Sequence, residues 1–175
     1  MIVHINGRPG TGKLTIGTAL AERIGARLLD NHTIYNLAFA LTEAKSPAFY
    51  EAVAEVREIA HRRVLDLPAE VPVVLTDAHF ADSAHGRAAW ATGAALARRR
   101  GCPYLVVVLD CAAEENLRRL QSPGRAGKRK PRDPALYPGI TARRPLIREG
   151  GDRTLELDVT ELSAEDAAAQ IADWI

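Results

Sequence analysis

Gly7 to Thr15 read G-R-P-G-T-G-K-L-T and set Gly7, Gly12 and Lys13 at the spacing of a phosphate-binding P-loop. The glycines let the backbone turn with its N–H groups facing inward, and a helix that starts at Lys13 adds its positive dipole end to the same concavity. Gly7, Arg8, Pro9, Gly10, Thr11, Gly12, Lys13, Leu14 and Thr15 are therefore the candidate nucleotide-binding residues. Lys13 is placed to reach the β- and γ-phosphates as a point charge, and Thr15 to hydrogen-bond an α-phosphate. The motif asks for Ser or Thr directly after the lysine, where a hydroxyl ligates Mg²⁺. Leu14 stands there instead, so the metal needs ligands from elsewhere in the chain.

Other chemistry-bearing residues fall at the ends of apolar runs. Asp30-Asn31-His32 follows Arg27 to Leu29, and Thr76-Asp77-Ala78-His79 follows Val71 to Leu75. A carboxylate and an imidazole that titrates near neutral pH are the groups a proton transfer needs; Asp30 and Asn31 also suit the cap of a following helix. A third group is basic. Arg118, Arg119, Arg125, Lys128, Arg129, Lys130 and Arg132 occur without an intervening acid in a Gly/Pro-rich stretch. Guanidinium groups on such a segment can close over a transferring phosphoryl group and exclude water. The stretch has no interleaved aromatics for base stacking, which argues against nucleic acid as the partner. On a further helix Arg57 and His61 share a face at i, i+4; with Arg62 and Arg63 they read as a solvated helix face, with an anionic acceptor as the other reading.

Positioning these groups requires alternating strands and helices. Ile2 to Ile5 is a short buried strand, and Lys13 to Ile24 carries apolar residues at helical spacing before Gly25 stops it. Leu14 can pack that helix on the sheet. From Thr33 to Leu67 the pattern is helical, broken where Ser46 can cap a helix that Pro47 begins. Val71 to Leu75 is the third strand, Asp82 to Arg100 a helix ended by Gly101, and Pro103 to Leu109 a strand apolar on both faces. Ala112 to Leu120 is helical, a short helical piece precedes Gly150-Gly151, and Leu155 to Val159 is the fifth strand. Ser163 to Ile175 closes the chain as an amphipathic helix with a capping box, Ser163 facing Asp166. The alternation implies a parallel sheet between two helical layers, with ligands outside the carboxyl ends of its strands.

The 175 residues suit a single domain, 1–175. A net charge of +1 gives no global pull toward nucleic acid or an anionic membrane. Cys102 and Cys111 lack the C-x-x-C spacing of a zinc site and are too few for a disulfide framework, and no apolar run approaches membrane-spanning length. A soluble cytoplasmic protein, monomer or homodimer, is the expectation.

Taken together, the P-loop, the polar ends of the second and third strands and the basic loop make the chain resemble the shikimate kinase, nucleotide kinase and chloramphenicol phosphotransferase-like group of P-loop phosphotransferases. The resemblance implies a three-layer α/β/α P-loop kinase fold with a five-stranded parallel sheet in the order 2-3-1-4-5. It further implies an acceptor-binding helical subdomain over residues 33–69, a basic lid over 118–138, and ATP with Mg²⁺. In that group the second strand ends in Asp-x-Asp; here the second carboxylate is replaced by His32, which leaves Asp30 to organise metal or accept the acceptor's proton and His32 as a candidate base. Asp77 matches an acidic residue that holds Mg²⁺ through water. Arg119 and Arg125 match the lid arginines, so Lys13, Asp30, His32, Arg119 and Arg125 are the implied catalytic residues. Arg119 and the loop from Asp158 to Leu162 flank the implied adenine site. The expected activity is phosphoryl transfer from ATP to a hydroxyl of a small molecule. Two rivals stand beside it: a nucleoside or nucleotide kinase, and a nucleotide-binding sensor or weak ATPase without transfer.

Overall fold

The computed structural model describes residues 1–122 and 144–175. Five parallel strands, β1 (Ile2–Gly7), β2 (Arg27–Asp30), β3 (Val73–Asp77), β4 (Tyr104–Asp110) and β5 (Arg153–Asp158), form one sheet in the order β2-β3-β1-β4-β5. This is the expected P-loop kinase arrangement. Six helices are seen among the described residues: α1 (Lys13–Ile24), α2 (Asn31–Leu41), α3 (Pro47–Leu65), α4 (Ala84–Arg100), α5 (Ala113–Leu120) and α6 (Ala164–Trp174).

The period of two along each strand assigns its side chains to the two faces. Val3 and Ile5 of β1, with Leu105, Val107 and Leu109 of β4, pack against Ile16 and Leu20 of α1 and Ala167 and Ile171 of α6. Ile2 of β1, with Val106 and Val108 of β4, faces Trp90 and Leu96 of α4, and Leu146 and Ile147 seal that side. Strands enclosed on both faces are nearly continuous in apolar residues, as β4 is. Helix ends follow their capping residues: the Ser46 hydroxyl accepts from Phe49 N at 3.1 Å, Ser83 from Gly86 N at 3.0 Å, and Ser163 from Asp166 N at 3.0 Å. Gly25 and Gly101 end α1 and α4 in the left-handed region, at φ 66° and 63°.

Three elements depart from the sequence pattern. β3 begins at Val73 rather than Val71, because Pro72 has no N–H to offer the ladder and serves only as acceptor, from Arg27 N at 2.9 Å. Residues 144–149 form no helix. They run alongside the chain that leaves β3, with an isolated bridge between Phe80 and Leu146 and a hydrogen bond from Ile147 N to the His79 carbonyl at 3.2 Å. Finally, Arg57 of α3 is not on a solvated face: it is buried, its guanidinium carbon 5.8 Å above the Tyr35 ring. Cys111 is buried and Cys102 half-buried. Among the described residues, no helix is long and apolar enough to cross a membrane.

Candidate active site

The loop from Gly7 to Gly12 connects β1 to α1, and its shape is set by close packing as well as by backbone freedom. Gly10 and Gly12 have φ of 93° and 89°, in the region that favours glycine. A Cβ on Gly10 would stand 2.6 Å from the Asn116 amide nitrogen, which donates to the Pro9 carbonyl at 2.8 Å and ties the loop to α5. No side chain caps α1, so the first turn of the helix presents its N–H groups at the loop. Lys13 Nζ donates to the carbonyls of Gly7 and Arg8, both at 2.8 Å, and is therefore held in the loop before any phosphate arrives.

Beside this loop lies a cavity of about 590 Å³, within the usual size of a ligand site. Its wall includes Pro9, Gly10, Gly12, Lys13, Leu14 and Thr15 from the loop and α1, Asp30 and His32 from the start of α2, Asp77 and His79 from the end of β3, and Arg119 from α5. The groups that the sequence set at three separate strand ends thus share one concavity. Leu14 faces it half-buried and is absent from the core clusters, so the packing role open to it in the sequence is not the one it takes.

Other expected positions lie elsewhere. Arg8 is buried beneath the loop, its guanidinium paired with Asp110 at 2.8 Å and donating to the Arg144 carbonyl at 2.9 Å. Thr11 is buried and donates to the Arg8 carbonyl at 2.9 Å. Both shape the cradle from behind. Asp158 accepts from Thr160 N at 2.8 Å and lines a separate surface depression beyond Leu162. Arg125 and most of the basic stretch fall outside the described residues.

Asp30 combines two roles. Its Oδ2 accepts from His32 N at 3.1 Å, capping α2, while its Oδ1 accepts from the Thr76 hydroxyl at 2.9 Å, which fixes the carboxylate at the cavity wall. Arg119 is anchored by Glu115 and by the carbonyls of Val159 and Thr160, at 2.8 and 3.0 Å. Its neighbour Arg118 pairs with Glu115 from an exposed position, consistent with adjacent helical residues pointing about 100° apart.

Asp77 is the most elaborately held group. Its Oδ2 lies 3.0 Å from His4 Nε2, and His4 Nδ1 lies 2.6 Å from the Tyr104 hydroxyl. A carboxylate only accepts, so His4 donates through Nε2 and Tyr104 donates to Nδ1. His4 is stacked on Trp90 at 4.1 Å, which fixes the ring. Burial alone would push the Asp77 carboxyl upward; His79 and His4 outweigh it and hold the group well below the usual carboxylate range. Asp77 Oδ1 is buried and lies 3.2 Å from His79 Nε2, within ion-pair distance. An ionised carboxylate in the wall of the cavity that contains the phosphate cradle is a fit for hydrated Mg²⁺, which binds through one or two carboxylates plus phosphates.

Sequence reasoning missed His4, Asn6 and Asn116. Asn6 is fully buried, donating to the carbonyls of His79 and Ile147 at 2.9 Å each and accepting from Gly7 N at 3.0 Å and His79 N at 2.9 Å. It fastens the ends of β1 and β3 together. The available signal was two polar residues in alternate positions of an otherwise apolar strand.

His61, behind Asp77 on α3, gives the site a measurable pH signature. Burial first, then the nearby Arg57 charge, lowers its pKa from 6.5 to about 4. A lowered basic pKa means that the unfolded chain binds the proton more readily, so this contribution is full above pH 6.5 and fades as pH falls toward about 4. Thermal melts across that window are expected to be shallower for His61→Gln, by up to about one proton of slope.

Comparison with known proteins agrees with this fold. A family model described as an AAA domain matches residues 2–135. The cytidylate kinase of Corynebacterium glutamicum is 36% identical over 77 residues, which is 43% of this chain and 34% of that protein, so the likeness spans about a third of the relative's length. The tunicamycin resistance protein of Deinococcus radiodurans superposes with a TM-score of 0.64 at 19% identity, covering 99% of this chain and 94% of the other. The APS kinase of Mycobacterium tuberculosis, in complex with AMPPNP and APS, gives 0.60 at 17% identity over 98% and 95%. With its glycine cradle, its 2-3-1-4-5 sheet and a family match that runs from β1 past α5, the chain belongs to the AAA domain family and has the P-loop kinase fold.

Proposed function

We propose that the protein is an ATP-dependent phosphotransferase that moves the γ-phosphoryl group to a hydroxyl of a small molecule. The observation that carries this reading is the single cavity that joins Lys13 and the loop glycines to Asp30, His32 and Asp77. In the reaction, the acceptor oxygen forms a bond to the γ-phosphorus while the bond from that phosphorus to the β,γ-bridging oxygen breaks, and ADP leaves. The hydroxyl proton passes to Asp30 or His32. Lys13 and the loop N–H groups hold the phosphates, and Arg119 adds charge on the α5 side; positioning and neutralisation are what such a transfer asks of a protein. Mg²⁺ would be held through water by Asp30 and Asp77, where it would neutralise phosphate charge. The nucleoside or nucleotide kinase reading draws on the cytidylate kinase likeness, and the sensor reading on Leu14.

ATP binding with and without Mg²⁺, followed by acceptor-dependent ADP release against sugars, nucleosides and aminoglycosides, tests the proposal. Transfer to an acceptor supports it; ATP binding with no acceptor-stimulated turnover favours the sensor. Folded protein that binds neither ATP nor ADP contradicts every reading built on Gly7 to Lys13. Leu14→Ser restores the missing hydroxyl and is expected to lower the Mg²⁺ concentration needed for half-maximal ATP binding about tenfold, the equivalent of about 1.4 kcal/mol. An unchanged Mg²⁺ dependence would mean that Leu14 does not occupy the metal's side of the loop.

A further inference from the structure

The carbonyls of the P-loop are held in two different ways. Those of Gly7 and Arg8 accept from the Lys13 ammonium, at 2.8 Å each, and the Arg8 carbonyl also accepts from the Thr11 hydroxyl at 2.9 Å. These donors belong to the loop and its helix, and Lys13 must leave its carbonyls to reach a phosphate. The Pro9 carbonyl is held from outside, by Asn116 of α5, which donates to it through Nδ2 at 2.8 Å. Asn116 is 2% exposed, and Leu120 one turn further along α5 reaches the same stretch of loop. A Cβ on Gly10 would meet the Asn116 amide at 2.6 Å and Leu120 at 3.0 Å, so the contact also depends on a glycine there.

The orientation of one peptide follows from this contact. The Pro9–Gly10 peptide is trans, and in a trans peptide the carbonyl oxygen and the next N–H point in opposite directions. Fixing the Pro9 oxygen on Asn116 therefore fixes the Gly10 N–H, which is directed away from Asn116. Pro9 and Gly10 line the cavity, whereas Asn116 stands behind them and does not. Pro9 has no N–H of its own, so Gly10 supplies the first that the loop can present after Arg8. A neutral amide suits the place. It donates where it is buried without bringing a charge there, whereas a carboxylate only accepts and would face the Pro9 oxygen with like polarity.

We infer that Asn116 is a positioning residue for phosphate binding: by holding the Pro9 carbonyl it turns the Gly10 N–H into the cavity, where it meets a phosphate oxygen of the nucleotide. This rests on the phosphate-binding reading of the loop and adds to it a residue of α5 that lies outside the motif. Because the contact does not involve Lys13, it persists while the ammonium exchanges the Gly7 and Arg8 carbonyls for phosphate. Arg119, at i+3 from Asn116, lines the same cavity, so α5 serves the site twice.

The test measures binding of AMPPNP and of inorganic pyrophosphate to the intact chain by calorimetric titration, with the Gly10 and Gly12 amide signals followed by NMR. Asn116→Leu keeps the volume and removes the donor. It is expected to weaken both ligands about tenfold, the size of one lost hydrogen bond that serves a charged group. In the native protein the Gly10 amide proton is expected to move downfield when either ligand binds. In Asn116→Leu that movement shrinks, while the Gly12 amide, on a different peptide, keeps its response. Asn116→Asp supplies the readout that a packing role would not move. A buried carboxyl titrates above its usual range, and once protonated it has an O–H to donate to Pro9. Its affinity, relative to native protein at the same pH, is therefore expected to recover as pH falls from about 8 to about 5.5, whereas the Asn116→Leu deficit stays constant. Native affinity in folded Asn116→Leu overturns the inference, as does a native Gly10 amide that ignores a ligand shown to bind; both results leave the nucleotide-binding reading intact. If Asn116→Leu does not fold, the Asn116→Asp series decides: recovery at low pH supports the inference, and an absent or flat deficit overturns it. Failure of the native protein to bind either ligand overturns the inference and the nucleotide-binding reading together.

Discussion

Lys13→Ala is expected to lower phosphoryl transfer by about 10²–10³-fold, the loss seen when one preorganised charge-stabilising donor is removed from an active site. The geometry argues for an effect on chemistry beyond nucleotide affinity. Lys13 is 9% exposed and its ammonium already rests on the Gly7 and Arg8 carbonyls, so phosphate binding exchanges one set of oxygen acceptors for another and the group needs no search for its place. Removing it also deprives two loop carbonyls of a donor, and part of any activity loss in the alanine variant will reflect a loosened loop. Lys13→Met keeps most of the volume without the charge and separates the two effects. If charge is what matters, both variants lose transfer alike, whereas melting temperature falls less for methionine. Lys13→Arg is not expected to rescue, because a planar five-donor fork does not fit where a compact ammonium sits between two carbonyls 2.8 Å away. Full transfer by a folded Lys13→Ala protein would contradict the assignment.

The P-loop was legible in the sequence because its chemistry is local. Glycines at fixed offsets, a lysine and the start of a helix are all contained in nine residues, and the structure has them as read. The capping serines were legible for the same reason, since each rests on short-range pattern, whereas the strand order was implied by the resemblance to P-loop phosphotransferases. What could not be read depends on partners far away in the chain. His4 and Tyr104 are separated by 100 positions, and Asn6 and Ile147 by 141, so nothing near either residue announces its role. Arg57 was misplaced because the spacing of charges on α3 says which residues share a face, but not that this face meets Tyr35 instead of water. The stretch before β5 failed as a helix for a related reason: hydrogen bonds from Asn6 and to His79 draw Ile147 into an extended path that its own residue types do not demand.

Asp77→Asn is expected to reduce transfer about 10²-fold and to raise the Mg²⁺ concentration that the reaction requires, as loss of a residue that orients a metal typically does. The substitution is nearly isosteric, and an amide oxygen can still accept from His4 Nε2 at the position that Oδ2 occupies, so the fold is retained. What disappears is the charge, and with it the reason for the arrangement around the group. A buried carboxylate would ordinarily drift toward its neutral form. Here Tyr104 and Trp90 fix His4, and His79 and His4 hold the carboxyl below its usual range in the wall of the cavity. A structural role and a metal role predict the same pH dependence of stability but different kinetics. Because the folded carboxyl titrates below its unfolded value, its stabilising contribution is present above about pH 4 and is lost as pH falls below that value. The native protein should therefore lose melting temperature more steeply than Asp77→Asn on acidification below pH 4, whichever role is correct. Only the metal role predicts that the transfer deficit at neutral pH shrinks as Mg²⁺ is raised. A deficit that is unchanged at saturating Mg²⁺, in a protein with native stability, would move the metal away from Asp77 and leave Asp30 as its organiser.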